Sequence, residues 1–97
     1  MTKLKRAFLE YNEQFFGNRL PADTIVKWSH SLPVMGRFEG NTIIINDYFK
    51  RWASVWRLTL LHEMAHLATD SEVEEHGPRW RREMHRLARA GAFDGLW

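Results

Sequence analysis

A glutamate lies directly after the first of two histidines that are four residues apart, so His62, Glu63 and His66 form the pattern H-E-x-x-H. On an α-helix, residues i and i+4 share one face and lie about 6 Å apart along the axis. Both imidazoles can therefore offer a nitrogen to one metal ion. Glu63 leaves the helix about 100° away from His62, a direction that favours contact with a metal-bound water over contact with the metal. The pattern thus indicates a hydrolytic metal site that needs a third ligand.

The third ligand has to lie downstream, because a catalytic zinc site uses three protein ligands and leaves one position for water. The metzincin continuation would require a glycine and a histidine at the positions where this chain has Thr69 and Glu72, which excludes that class. The remaining candidates are His76, in the loop before the last predicted helix, and Glu83, inside that helix as in gluzincins. Spacing favours His76 slightly, because Gly77–Pro78 turns the chain back towards the preceding helix, and it leaves both candidates open.

The composition excludes several classes of protein. With 97 residues, of which 44% are hydrophobic, the chain is expected to form one globular domain over residues 1–97. It has no cysteine, so a metal has to be held by histidine and carboxylate. No apolar run reaches the length of a membrane span, and the N-terminus has no signal-peptide core. We therefore expect a cytoplasmic protein without a membrane contact.

The first half of the chain predicts a helix followed by a small sheet. Apolar residues recur at helical spacing from Leu4 to Phe15, between a cap at Thr2 and a stop at Gly17. Three short runs of high β propensity follow, and a turn at 39–41 joins the last two as a hairpin. These runs predict a mostly antiparallel sheet of about three strands. They are residues 24–28, 34–38 and 42–46.

The second half predicts two helices. One runs from Ser54 to about Thr69 and carries H-E-x-x-H beside its buried stripe, at the boundary between core and surface where a cleft can form. An acidic loop at 70–75 leads to Gly77–Pro78, which opens a last helix that ends near Ala90. The predicted fold is α+β, with an N-terminal helix, the sheet, the metal-binding helix and a C-terminal helix.

Several segments together resemble the SprT-like metalloprotease domains, the family that includes the Spartan proteases. Asn12–Pro21 is similar to the opening helix of that family and its F-x-x-x-L-P exit, and the later segments follow in the family's order. They are Trp28–Ser29, Arg37–Gly40, Ile43–Asn46, Thr59–His66 and His76–Trp80. The resemblance covers nearly the whole chain, and the pairing of H-E-x-x-H with H-G-x-x-aromatic makes it specific.

The resemblance implies that zinc is held by His62, His66 and His76, with Glu63 as the catalytic acid and base. Glu83 would then be an ordinary helix residue. The implied activity is proteolysis, which in Spartan-type members is directed at proteins crosslinked to DNA and serves the repair of these crosslinks. The loop between His66 and His76 is short, and the chain carries no zinc-ribbon or other DNA-binding extension. We therefore expect the peptidase chemistry to carry over more directly than a dependence on DNA.

The expected mechanism follows from zinc chemistry. The ion would acidify a bound water and polarise the scissile carbonyl, while Glu63 takes the proton of the water and passes it to the leaving amine. Tyr48, Arg79 and His85 are candidates for stabilising the oxyanion. Trp80 is expected to pack beneath the helix that carries the motif.

A second hypothesis starts from the distribution of charge. The net charge is only +2, but five arginines crowd into one short stretch near the C-terminus. They are Arg79, Arg81, Arg82, Arg86 and Arg89. This stretch is either the solvated face of an amphipathic helix or a weak contact surface for DNA phosphates. The alternative function is then a nucleic-acid-associated binding module with a structural zinc site, although a DNA contact is also compatible with a peptidase that DNA recruits. In either case we expect a monomer, and the peptidase would act on a protein or peptide substrate.

Overall fold

The structure is a computed structural model that describes residues 1–70, 72 and 74–96. It has the expected α+β architecture, with three helices and a three-stranded sheet in the described residues. Two positions of the predicted 70–75 loop, and Trp97 at the end of the predicted 1–97 domain, lie outside the described residues. The elements in order are α1 (Lys3–Phe16), β1 (Ile25–Ser29), β2 (Gly36–Glu39), β3 (Thr42–Asn46), a 3₁₀ turn (Asp47–Phe49), α2 (Ala53–Ala68) and α3 (Pro78–Arg89).

Helix α1 begins and ends where its sequence predicts. The Thr2 hydroxyl accepts a hydrogen bond from the Lys5 backbone N–H at 3.0 Å, which caps the first turn. Gly17 ends the helix with a left-handed φ of 57°, a conformation that glycine adopts without steric cost. Leu4 and Phe8 are fully buried, so the helix packs its apolar face into the core.

The sheet is mixed, whereas the sequence predicted a mostly antiparallel one. Its order is β1-β3-β2; β2 pairs antiparallel with β3, as expected for the hairpin, but β1 pairs parallel with β3. The chain reverses between β1 and β2 without placing them side by side. β3 lies between them. The central position buries its Ile43 and Ile45 fully, which favours this arrangement through the burial of apolar surface. β2 is thereby left at one edge of the sheet.

Helix α2 lies at the centre of the fold. It contacts β2 and β3 on one side and α3 on another, and it has fully buried residues at Leu60, Leu61, Met64 and Ala65. The consequence is a firmly supported helix, since the side chains around the H-E-x-x-H motif are packed on several faces. Helix α3 has one buried residue, Leu87, and is otherwise a surface helix. Among the described helices, none combines the length and the apolar character needed to cross a membrane.

Candidate metal centre

Three histidines converge at the surface end of the cleft beside α2. His62 and His66 come from successive turns of α2, and His76 comes from the loop before α3. Each can offer one ring nitrogen such that the three atoms lie within 4.8 Å of one another. The ring centroids are 4.8–5.1 Å apart, and the Nε2 atoms of His62 and His76 are separated by 3.2 Å. One ion could therefore contact all three imidazoles.

His76 reaches the other two histidines because the chain forms a tight turn in front of α3. The turn is closed by a hydrogen bond of 3.1 Å from the Gly77 N–H to the Glu74 carbonyl. His76 has a φ of +58°, a left-handed conformation that is uncommon for residues other than glycine. A Cβ on Gly77 would lie 2.9 Å from both the Glu74 carbonyl oxygen and the Glu72 carboxyl carbon. The turn therefore requires glycine at 77 for its close packing.

Glu72 supports the same turn from the side. Its carboxylate accepts hydrogen bonds from the backbone N–H groups of Arg79 and Trp80 at 2.7 and 3.0 Å. These are N–H groups of the first turn of α3, which have no partner within the helix, and Gly77 offers no capping side chain. From the sequence, Glu72 is only a remote candidate for the third ligand, and no pattern assigns it a capping role. Its position six residues before the start of the helix gave no recognisable capping signal.

Trp80 forms one wall of the histidine cluster. Its indole lies 4.9, 5.3 and 4.4 Å, centroid to centroid, from the rings of His62, His66 and His76. It is nearly parallel to the ring of His66, with an angle of 21° between the planes. The indole N–H donates to the carbonyl of His62 at 3.4 Å. Packing beneath the motif helix is thus confirmed, and the indole restricts the rotation of all three imidazoles.

Glu63 lies at the base of the cleft with only 6% of its surface exposed. Burial, and to a lesser extent the negative charge of Glu75, raises the pKa of Glu63 to about 7. A Cβ on Gly36 of β2 would approach Glu63 Oε2 to 3.2 Å, so glycine lets the strand come this close. A carboxyl with such a pKa can both accept and release a proton near neutral pH.

Two of the histidines, His62 and His66, have lowered pKa values that favour the neutral, metal-binding form. Burial, followed by the neighbouring charges of His66 and His76, lowers the pKa of His62 to about 4, against the opposing charge of Glu75. Burial also lowers the pKa of His66, with a further contribution from His76. Neutral imidazole has a lone pair free for a metal, so the site does not have to lose protons from these two residues at pH 7.

A cavity of about 320 Å³ opens over this cluster and is lined by the three histidines and Glu63. Its opposite wall is formed by β2, through Gly36, Arg37 and Phe38, and Glu75 lies at its rim. These wall residues could not be identified from the sequence. No local pattern connects them with the motif, since they reach it only through the packing of β2 against α2.

The alternative third ligand, Glu83, lies elsewhere. Its carboxylate accepts two hydrogen bonds from Arg86 at 2.8 and 2.9 Å and forms an ion pair with Arg19 at 3.5 Å. In the described part of the chain, the group that can hold a metal contains His76 and does not include Glu83. The structure therefore brings His76 to the pair of histidines, in agreement with the slight preference from spacing.

The three residues suggested for stabilising an oxyanion do not line the cavity over the histidines, as far as the described residues show. Tyr48 is 68% exposed and contacts Phe49 and Trp52 instead. Arg79 and His85 line two other recesses on α3.

Four of the five arginines from the C-terminal stretch share a recess with Arg19. This recess has a volume of about 420 Å³ and also contains Glu83. The four are Arg79, Arg82, Arg86 and Arg89. Arg81 lines a separate shallow recess beside His85. The positive charge is therefore concentrated on one face of α3 and is partly offset by the carboxylates of Glu72 and Glu83.

Comparison with known proteins adds one match. The model of the SprT-like family matches residues 4–95, which is nearly the whole chain. Among curated proteins, none gives a significant match to this sequence.

Proposed function

The chain belongs to the SprT-like family, as its resemblance predicted, and from that premise we propose that it is a zinc-dependent metallopeptidase that hydrolyses peptide bonds in protein substrates. The observation that carries this proposal is the convergence of three histidine nitrogens within 4.8 Å beside the buried Glu63. A purely structural site has no need of a buried carboxyl with a pKa near 7 at its side.

The donor set fits zinc. Zn²⁺ prefers imidazole nitrogen among the ligands that this cysteine-free chain can offer, and catalytic zinc sites use three protein ligands with one position left for water. The lowered pKa of His62 and His66 keeps their imidazoles neutral at pH 7. The cavity over the cluster leaves an approach from the solvent side. Zinc bound here would supply an acidified water and polarise the carbonyl of the scissile bond.

Residues of the chain would transfer the proton, position the imidazoles and contact the substrate. Glu63 accepts the proton of the attacking water on its carboxylate and delivers it to the leaving amine, which its pKa of about 7 permits in both directions. Trp80 and the turn at His76 hold the imidazoles in place. β2 forms the wall along which a substrate backbone can lie.

The proposal is tested with purified, zinc-loaded protein and an unfolded protein substrate. We expect about one zinc per chain and measurable cleavage. Glu63→Gln should retain the zinc and lose at least about a hundredfold in cleavage rate, the lower range for removal of a general base. Glu83→Gln is the matched control and should cleave like the wild type. Normal cleavage by Glu63→Gln would contradict the mechanism.

A second function is proposed for the recess of arginines on α3, which we infer contacts phosphates of DNA and so directs the enzyme to DNA-associated proteins. The supporting observation is the gathering of Arg19 with four arginines of α3 around one recess. Binding of DNA should weaken as the salt concentration rises. In the double variant Arg82→Ala with Arg89→Ala, the slope of the logarithm of the binding constant against the logarithm of the salt concentration should become less steep by about one to two units. Absence of binding at low salt would contradict this second function and leave the peptidase proposal intact.

A further inference from the structure

A second recess adjoins the cavity over the histidines. It has a volume of about 290 Å³ and is lined by Met35, Gly36, Leu58, Thr59, His62 and Glu63. Three of these residues, Gly36, His62 and Glu63, also line the cavity over the histidines. A chain bound across Glu63 can therefore send a side chain directly from one space into the other.

The walls of this recess are mainly apolar. Leu58 precedes His62 by one turn of α2, and Met35, at the rim, is 46% exposed. The Thr59 hydroxyl donates to the Val55 carbonyl at 2.9 Å, which satisfies its polar group within the helix. Its methyl group faces β2, since a Cβ on Gly36 would lie 2.6 Å from Thr59 Cγ2. The recess thus offers methyl and methylene groups to whatever enters it.

The edge of β2 shows how a peptide backbone would reach the recess. The Asn46 N–H donates to the Met35 carbonyl at 2.8 Å, and Gly36 pairs with Ile45 in the next position. Because bonded and non-bonded pairs alternate in an antiparallel ladder, the N–H and C=O of Gly36 point away from β3. β2 is an outer strand of the sheet formed by the described residues. An extended peptide can therefore add to this edge beside Glu63, with alternate side chains turned towards α2.

We propose that the recess bounded by Met35, Leu58 and Thr59 binds one bulky apolar side chain of the substrate, at a fixed position next to the scissile bond, and thereby sets the cleavage preference. This inference rests on the peptidase function proposed above. The volume of the recess, about 290 Å³, lies just below the range of about 300–1,000 Å³ that is typical of ligand pockets. This size fits one side chain and not a larger group.

The first test maps the cleavage sites of the zinc-loaded wild type in an unfolded protein substrate by mass spectrometry. One position beside the cleaved bond should be enriched in Leu, Ile, Met and Phe and depleted in Asp, Glu and Gly. Cleavage without any such enrichment would overturn the inference and leave the peptidase proposal standing. Absence of cleavage by zinc-loaded protein would overturn both.

The second test changes the rim of the recess. Met35→Lys places a charge at its entrance, so the ratio of kcat/KM for a peptide with Leu to that for the same peptide with Glu at the mapped position should fall at least about tenfold. This is the order of discrimination that a change in an apolar pocket provides. Ile25→Lys is the matched control, because Ile25 is similarly exposed at 49% but lies on β1. The ratio should be unchanged in Ile25→Lys, and an unchanged ratio in Met35→Lys would overturn the inference.

A third readout measures binding and requires no cleavage by the variant that is used. In zinc-loaded Glu63→Gln, addition of an uncut peptide with Leu at the mapped position should shift the methyl NMR signals of Met35 and Leu58. The methyl signal of Met84 on α3 serves as the internal reference, and a peptide with Glu at that position should give no shift. Equal shifts with both peptides, or none with either, would overturn the inference.

Discussion

Burial raises the pKa of Glu63, which suits its proposed role in proton transfer and lowers the stability of the fold. Its pKa rises from an ordinary 4.5 to about 7, so the folded chain holds a proton there that the unfolded chain has released between these pH values. The contribution of Glu63 to stability is therefore fully present below pH 4.5 and is lost as the pH rises through 7. The raised pKa that suits Glu63 to its proposed role in proton transfer thus weakens the metal-free fold at neutral pH.

This loss of stability predicts that Glu63→Gln stabilises the metal-free fold relative to the wild type as the pH rises. In the metal-free state, the free energy of unfolding of the variant relative to the wild type should rise by about 3 kcal/mol between pH 4.5 and pH 8, at 1.36 kcal/mol per pKa unit. Denaturant titrations of both proteins in the presence of a chelator measure this difference. A difference that does not change with pH would show that Glu63 titrates normally.

His76 combines a proposed ligand role with an unusual backbone conformation. Asparagine tolerates its left-handed φ of +58°, so His76→Asn removes the imidazole and keeps the turn. Zinc affinity should fall by more than about a hundredfold, the upper range for loss of a mere outer-shell partner. Competition with a zinc-binding dye measures it, and His85→Asn on α3 serves as control with unchanged affinity. Equal affinity of His76→Asn and wild type would exclude His76 as a ligand.

At this scale the sequence identified the residues whose roles are local. His62, Glu63 and His66 follow from one helical spacing, whereas spacing left His76 and Glu83 both open as the third ligand and only the family resemblance implied His76. Glu75 was not predictable, because its influence on the pKa of Glu63 depends on a loop conformation. The residues whose roles arise from tertiary contacts carry no local signature.

Among the elements, the contact between β2 and α2 determines the shape of the site. Helix ends were predicted to within about two residues, because caps such as Thr2 and Gly17 are local signals. The parallel pairing of β1 with β3 was not predicted, since it depends on which strand gains most from burial at the centre of the sheet. Sequence patterns predict the strands, but which strands pair depends on tertiary packing in the core.

The close approach of β2 to α2 predicts a specific intolerance at Gly36. An alanine there would bring its Cβ to 2.6 Å from Thr59 Cγ2, so Gly36→Ala should destabilise the fold by about 1–3 kcal/mol, as overpacking does. Thr59→Ser removes that methyl group, and the double variant should recover part of the loss. Thermal unfolding of the two single variants and the double variant measures this coupling. Strictly additive effects would contradict the proposed contact.

For the whole molecule, a metal would act as a crosslink in a chain that has no cysteine. It would join α2 to the loop before α3, while the core of α1, the sheet and α2 stays independent of it. That core includes Leu4, Phe8, Ile43, Ile45 and Leu60, all fully buried. Loss of the metal should therefore loosen the C-terminal part of the fold and leave the core packed.

Chelation should accordingly lower the melting temperature without abolishing cooperative unfolding. Zinc at a hundred times its Kd adds about 2.7 kcal/mol, which corresponds to a shift of roughly 10–20 °C in a domain of this size. Calorimetry with and without EDTA measures the shift. A chain that unfolds completely on chelation would instead support the alternative of a purely structural zinc site.

The open edge of β2 has a consequence for the behaviour of the protein in concentrated solution. An edge that can accept a substrate strand can also accept the same strand of another copy, which is the usual start of edge-to-edge aggregation. β2 has only four residues, and its Arg37 and Glu39 are exposed and charged. Short length and charge are the features that protect natural edge strands from such pairing. If β2 binds substrate as proposed, its short length and its charges limit self-association while the edge stays accessible. Neutral residues at 37 and 39 should therefore increase the fraction of insoluble protein.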